Sequence, residues 1–135
     1  MKTAVVGAGA MGSLFGALLG ETGAEVWLID TWEEHVSAIN ENGLSVEHEG
    51  TTRRIKVEAT TDPDPVDPVD LVIIFVKSPH TDAAARTASR LMRPDSMVLT
   101  LQNGMGNADV ISKIIDPNRV VSGTTSHGAT LLGPG

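Results

Sequence analysis

The chain has 135 residues, 41% apolar and 20% charged, with a formal net charge of −7 and no cysteine. This is one globular domain's worth, long enough to bury a real core. The composition excludes disulfides, thiolate metal sites and cysteine nucleophiles, and the acidity argues against a nucleic-acid surface.

No run of 18 apolar residues occurs, so no membrane span is expected. Met1-Lys2-Thr3 leads straight into a strand pattern without signal-peptide features, and a cytoplasmic location is expected. Lys2 to Val6 reads as a first strand buried on both faces. It runs into Gly7-Ala8-Gly9-Ala10-Met11-Gly12, after which Met11, Leu14, Phe15, Leu18 and Leu19 fall at helical spacing. Strand, glycine turn and helix are the context in which G-x-G-x-x-G marks dinucleotide binding. Gly7 permits the tight turn, Gly9 leaves the backbone open to a pyrophosphate, and Gly12 lets the helix sit close to the strand. The helix aims free N–H groups and the positive end of its dipole at the phosphates. An acidic domain binding an anionic dinucleotide needs such local donors, because its overall field is unfavourable.

Gly23 suits a helix C-terminus, and Glu25 to Ile29 forms the second strand, closing a βαβ unit. Asp30 comes next, eighteen positions past Gly12. A carboxylate there accepts hydrogen bonds from ribose hydroxyls and repels a 2′-phosphate, which favours NAD over NADP. Asp30 also suits capping of the next helix, and the two roles are compatible. That helix carries Trp32, Val36 and Ile39 on one face and ends near Asn42-Gly43, with His35 expected in solvent. Leu44 to His48 and Arg54 to Glu58 alternate around Glu49-Gly50 as a hairpin or meander. Arg53, Arg54 and His48 are expected to be exposed.

Asp62 to Pro68 is a proline-punctuated loop, too short to link domains. Val69 to Val76 is the strongest strand, nearly continuous in apolar residues and therefore central and parallel. Lys77 sits at its carboxyl end, the edge where open α/β sheets bind ligands. A helix from Thr81 to about Met92 turns Ala84, Ala88 and Leu91 inward. Met97 to Leu101 is the next strand and delivers Gln102-Asn103-Gly104-Met105-Gly106-Asn107 to the same edge. The Asn103 amide could address a carboxamide or an oxo substrate, or it could serve an Asn-Gly turn. A helix starts at Asn107 or Asp109. Arg119 to Gly123 begins a sixth strand, and Thr124 to Ala129 returns to the ligand edge. His127 is either a site residue or a hydrogen-bonded structural one. The four histidines lack ligand spacing, so no metal is expected. The fold class is α/β, a Rossmann-like doubly wound, mostly parallel sheet with helices on both faces, spanning residues 1–135.

Three motifs together resemble the ketopantoate reductase (2-dehydropantoate 2-reductase) family: the glycine turn, Lys77 after its hydrophobic strand, and Gln102-Asn103-Gly104-Met105-Gly106. Gly123 to Ala129 is similar to that family's next segment, and Pro134-Gly135 fits the residues usual after that segment in the family. The resemblance implies NADPH-dependent reduction of a small 2-oxo acid, 2-dehydropantoate, to pantoate on the path to coenzyme A. It implies that Lys77 and Asn103 line the cofactor and substrate cleft and that Ala129 touches the cofactor through its backbone. Two departures stand out. The family places an arginine after the second strand, where this chain has Asp30-Thr31, which points to an NADH-using member. The family's general acid is a lysine on a C-terminal helical domain. The chain is therefore read as the N-terminal cofactor domain of a longer enzyme, inactive alone, with a homodimer as one admissible assembly. Two rival readings are a related dehydrogenase of another 2-oxo acid or opine and a non-catalytic dinucleotide sensor.

Overall fold

A computed structural model describes residues 1–135. Six strands form one wholly parallel sheet: β1 (Lys2–Val6), β2 (Glu25–Ile29), β5 (Glu58–Thr60), β6 (Val69–Ile74), β7 (Met92–Thr100) and β8 (Val120–Ser122), in the order β5-β2-β1-β6-β7-β8. Four helices cover it: α1 (Ala10–Glu21), α2 (Glu33–Asn42), α3 (Thr81–Leu91) and α4 (Asn107–Ser112). None is long and apolar enough to cross a membrane.

Strand alternation divides the core in two. Ala4 and Val6 of β1 and Val72 and Ile74 of β6 face α3 and α4, meeting Ala84, Ala88, Leu91 and Ile111. Val5 and Ile73, one residue out of phase, face the other layer with Ala17, Val36 and Ile39 from α1 and α2. Both faces of the central strands are thus covered, which is why these strands read as continuous apolar runs. Each fully buried Val or Ile contributes about 1.5–3 kcal/mol by transfer from water. At the amino edge Lys2 pairs with Glu25 at 3.2 Å, and the Trp27 indole N–H and that ammonium hold the Glu25 carboxyl below its ordinary value.

Several expectations are corrected. The hairpin pairs β3 (Leu44–His48) with β4 (Thr51–Ile55), not with Arg54 to Glu58. Glu49 and Gly50 at the turn both have positive φ (49° and 77°), the two-residue geometry that matches strand twist. Val57 then packs into the α1–α2 core and Glu58–Thr60 leaves the hairpin to pair with β2 as the sheet edge. The central strand ends at Ile74 rather than Val76, and β7 begins at Met92, with a register irregularity opposite Val69–Leu71.

Helix α1 also buries an unexpected face. Its helical period is as read, but the residues against the sheet are Gly12, Ser13, Gly16 and Ala17, whereas Leu18 is exposed and Met11, Leu14 and Phe15 are partly so. The approach is close. A Cβ on Gly16 would lie 2.6 Å from Leu28 Cδ2, and one on Gly20 would lie 2.9 Å from Ile55 Cγ2.

Candidate functional site

The chain builds β1, β2 and β5 outward in one direction, then returns to the other side of β1 with β6. The carboxyl ends of β1 and β6 therefore flank the reversal in strand order, where open parallel sheets leave a crevice. The glycine turn stands at that point. Gly7 has φ 97°, and a Cβ there would meet the Val76 backbone N at 2.9 Å, so the turn lies directly against the loop that carries Lys77. A Cβ on Gly12 would lie 1.8 Å from the Gly7 carbonyl oxygen, so the start of α1 closes onto the turn itself. Gly9 differs from both, because a Cβ there would meet nothing within 4 Å. Packing within the chain does not require that glycine. Hydrogen bonding in α1 begins with the Ser13 N–H, which donates to Gly9 O at 2.9 Å. The amides of Ala10, Met11 and Gly12 are the free donors of the helix N-terminus.

Asp30 leaves β2 beside this turn. One carboxylate oxygen accepts the Ala8 N–H at 2.7 Å and the other accepts the Trp32 N–H at 2.9 Å. The carboxylate thus ties the glycine turn to the start of α2, and the half-buried side chain has acceptor lone pairs beyond those two bonds. Downstream come Thr31, Trp32, Glu33 and Glu34, with no basic side chain among them. Arg53 is held by Glu21 at 2.7 Å, and both it and Arg54 are exposed, as expected.

Lys77 and Asn103 sit on neighbouring loops beyond β6 and β7, both exposed. Lys77 precedes a 3₁₀ turn at Ser78–His80, and Gly104 and Gly106 let the second loop turn with φ 95° and 88°. The loops are joined through side chains that the sequence left without a role. The Gln102 amide donates to Val76 O at 2.6 Å and to Thr81 Oγ1 at 3.0 Å. The Thr81 hydroxyl donates to Asn107 Oδ1 at 3.0 Å, and the Asn107 amide donates to Asn103 O at 3.1 Å. Thr81 and Asn107 are buried, so each satisfies the other where water does not reach. The signal available in sequence is weak: three polar residues near element ends, with Thr81 more than twenty positions from Gln102 and Asn107.

On the far side of α1 lies a cleft of about 650 Å³ between the helix, the β3–β4 hairpin and the extended segment His127–Gly135. Ala10, Ser13 and Leu14 line it opposite Ala129, so Ala129 is brought to the start of α1. Lys77 and Asn103 do not line this cleft and stand on the loops after β6 and β7. His127 is exposed, hydrogen-bonded to Thr125 Oγ1 at 3.0 Å and set edge-on to Phe15.

His35 corrects an expectation outright. It is fully buried rather than solvated, stacked beneath Trp32 with ring centroids 5.2 Å apart. Its Nδ1 accepts the Gly135 N–H at 2.9 Å and its Nε2 lies 3.3 Å from Ser13 Oγ.

A parallel sheet with this strand order, a glycine turn at the reversal and an acidic residue ending the second strand define a Rossmann-like α/β domain. The chain belongs to the ketopantoate reductase PanE/ApbA family, whose sequence model it matches over residues 3–135. It is 42% identical to a 2-dehydropantoate 2-reductase of Halobacterium salinarum, an alignment covering all of this chain and 45% of that protein. It thus spans less than half the length of the curated relatives it matches. Among solved structures, D-mandelate dehydrogenase with NADH and anilino(oxo)acetate superposes with TM-score 0.91 at 38% identity, over 99% of this chain and 44% of the other. A PanE/ApbA family ketopantoate reductase from Ralstonia eutropha JMP134 gives TM-score 0.80 at 38% identity, over 90% of this chain and 40% of the other.

Proposed function

We propose that this chain is the dinucleotide-binding domain of a 2-dehydropantoate 2-reductase and that it prefers NADH to NADPH. Gly9 carries the reading. A Cβ there would meet nothing within 4 Å, and the residue is the N-cap of α1, next in the chain to its free amides. Glycine at such a place is accounted for by a ligand that approaches the backbone, and free amides on a helix dipole suit a pyrophosphate.

The residues present fit the cofactor. The amides from Gly9 to Gly12 hold the phosphates, and Asp30, close to Ala8, accepts the ribose hydroxyls. Asp30, followed by Glu33 and Glu34 with no basic side chain between them, would oppose the charge of a 2′-phosphate, which is the basis for preferring NADH. Ala10, Met11 and Ala129 border the same ligand by position. When bound, the reduced nicotinamide supplies a hydride to the keto carbon of the 2-oxo acid. Lys77 and Asn103 orient that substrate from the carboxyl edge, with the Gln102–Thr81–Asn107 bonds keeping their two loops in register. The general acid for the alkoxide belongs to the remainder of a longer protein, a placement supported by the relatives' length.

A second reading is favoured by one observation: the high similarity to a D-mandelate dehydrogenase holding NADH. In that case the substrate is an aryl 2-oxo acid rather than 2-dehydropantoate. Calorimetric titration of this chain tests the cofactor assignment, with NADH binding at least about tenfold tighter than NADPH, a difference of about 1.4 kcal/mol. Tighter NADPH binding would overturn it. Comparing kcat/KM of the longer protein for 2-dehydropantoate and phenylglyoxylate then separates the two substrate readings.

A further inference from the structure

The glycine turn is held at two consecutive peptides by two different side chains. Asp30 takes the Ala8 N–H at 2.7 Å, which fixes the peptide between Gly7 and Ala8. The Ser13 hydroxyl donates to the Ala8 carbonyl at 2.9 Å, which fixes the peptide between Ala8 and Gly9. In a trans peptide the carbonyl and the following N–H point in opposite directions. A hydroxyl that draws the Ala8 carbonyl to its own side therefore aims the Gly9 N–H to the opposite side, at a residue where a Cβ would also meet nothing within 4 Å.

His35 decides which way the Ser13 hydroxyl points. The Gly135 N–H is a donor, so His35 Nδ1 must accept, and the ring proton resides on Nε2, 3.3 Å from Ser13 Oγ. With Nε2 donating, the Ser13 oxygen is the acceptor on that side and its own proton is left for the Ala8 carbonyl. Ser13 and His35 are 7% and 0% exposed, so little water reaches these groups. The partly exposed Trp32 ring stacks on His35 and covers it.

We infer that Ser13 and His35 are positioning residues that aim the Gly9 amide at the pyrophosphate of a dinucleotide, with His35 acting through Ser13. The inference rests on the proposed dinucleotide binding and adds to it a directed chain from His35 to Ser13 to the Ala8–Gly9 peptide. Its signature is selective. Affinity for ligands that carry the diphosphate depends on the chain, whereas affinity for the nucleoside alone does not.

The test is titration of the 135-residue chain with ADP, adenosine and NADH, following Gly9 amide chemical shifts alongside calorimetry. Ser13→Ala should weaken ADP and NADH about five- to tenfold, the range of one lost neutral hydrogen bond, with adenosine unchanged and the Gly9 response to ADP reduced. His35→Gln, whose amide can still donate to Ser13, should keep most of the affinity, and His35→Leu should behave as Ser13→Ala. Equal weakening of ADP and adenosine would mark a merely structural role and overturn the inference. So would a Ser13→Ala chain that binds ADP as the parent does, which would leave the dinucleotide reading intact. A parent chain that binds neither ADP nor NADH would remove both.

Discussion

Gly9 and Gly12 are three residues apart and answer to different constraints. Gly12 is demanded by the protein, since its Cβ would fall 1.8 Å from a backbone oxygen that cannot move aside. Gly12→Ala should therefore destabilise the fold by about 1–3 kcal/mol as an overpacked contact, measured by urea unfolding. Gly9 is met by open space. Gly9→Ala should change stability by less than about 1 kcal/mol yet weaken NADH at least about tenfold, because the new methyl occupies the ligand's approach. A Gly9→Ala chain with undiminished NADH affinity would show that the open space faces nothing of consequence. Asp30 allows a separate test of cofactor choice. Asp30→Asn keeps the shape and one acceptor oxygen but removes the charge, so the NADH-to-NADPH affinity ratio should fall at least about tenfold. An unchanged ratio in paired titrations would take discrimination away from Asp30.

At the scale of elements, the loops after β6 and β7 are one mechanical unit because Gln102 bridges them. Gln102→Ala leaves the buried Thr81 hydroxyl and the Val76 carbonyl each short of a donor. The expected cost is about 1–3 kcal/mol, seen as a lower urea midpoint with unchanged slope. An unmoved midpoint would mean that the loops are held by other contacts. These elements also show how much was legible beforehand. The run Val-Asp-Leu-Val-Ile-Ile announced a doubly covered strand because burial on both faces removes the need for alternation. The hairpin's second arm is misplaced by the sequence because Thr51 to Arg54 are polar and exposed throughout, whereas Arg54–Glu58 alternates, and only the pairings of Thr51–Ile55 with β3 and of Glu58–Thr60 with β2 decide between them. His35 was misjudged for a similar reason. A histidine beside Glu33 and Glu34 looks solvated until its partners, 22 and 100 residues away in sequence, are brought to it. Periodicity reports which face of an element is apolar and carries no information on polar partners supplied by other elements.

For the molecule as a whole, the net charge of −7 opposes an anionic ligand, and the proposed site relies on amide dipoles at short range. Raising ionic strength from about 10 to 150 mM shortens the Debye length from about 30 to 8 Å, which screens that general repulsion and leaves the local contacts. NADH affinity should hold steady or rise with salt. A steep fall would assign the phosphates to lysine or arginine instead.

The close seating of α1 on the sheet has a consequence for the order in which the chain folds. Gly12, Gly16 and Gly20 each lower the helix's own stability by about 1 kcal/mol relative to alanine, so a helix of this sequence has little tendency to form alone. It acquires its shape from strands that pair only across long stretches of sequence, β1 with β2 and β6. The row of free amides at its N-terminus therefore has no counterpart in the unfolded ensemble, and a dinucleotide seated there binds the finished domain alone. At a hundred times its dissociation constant such a ligand adds about 2.7 kcal/mol to unfolding. A rise in the thermal midpoint with added NADH would thus report completion of the parallel sheet as directly as it reports occupancy of the site.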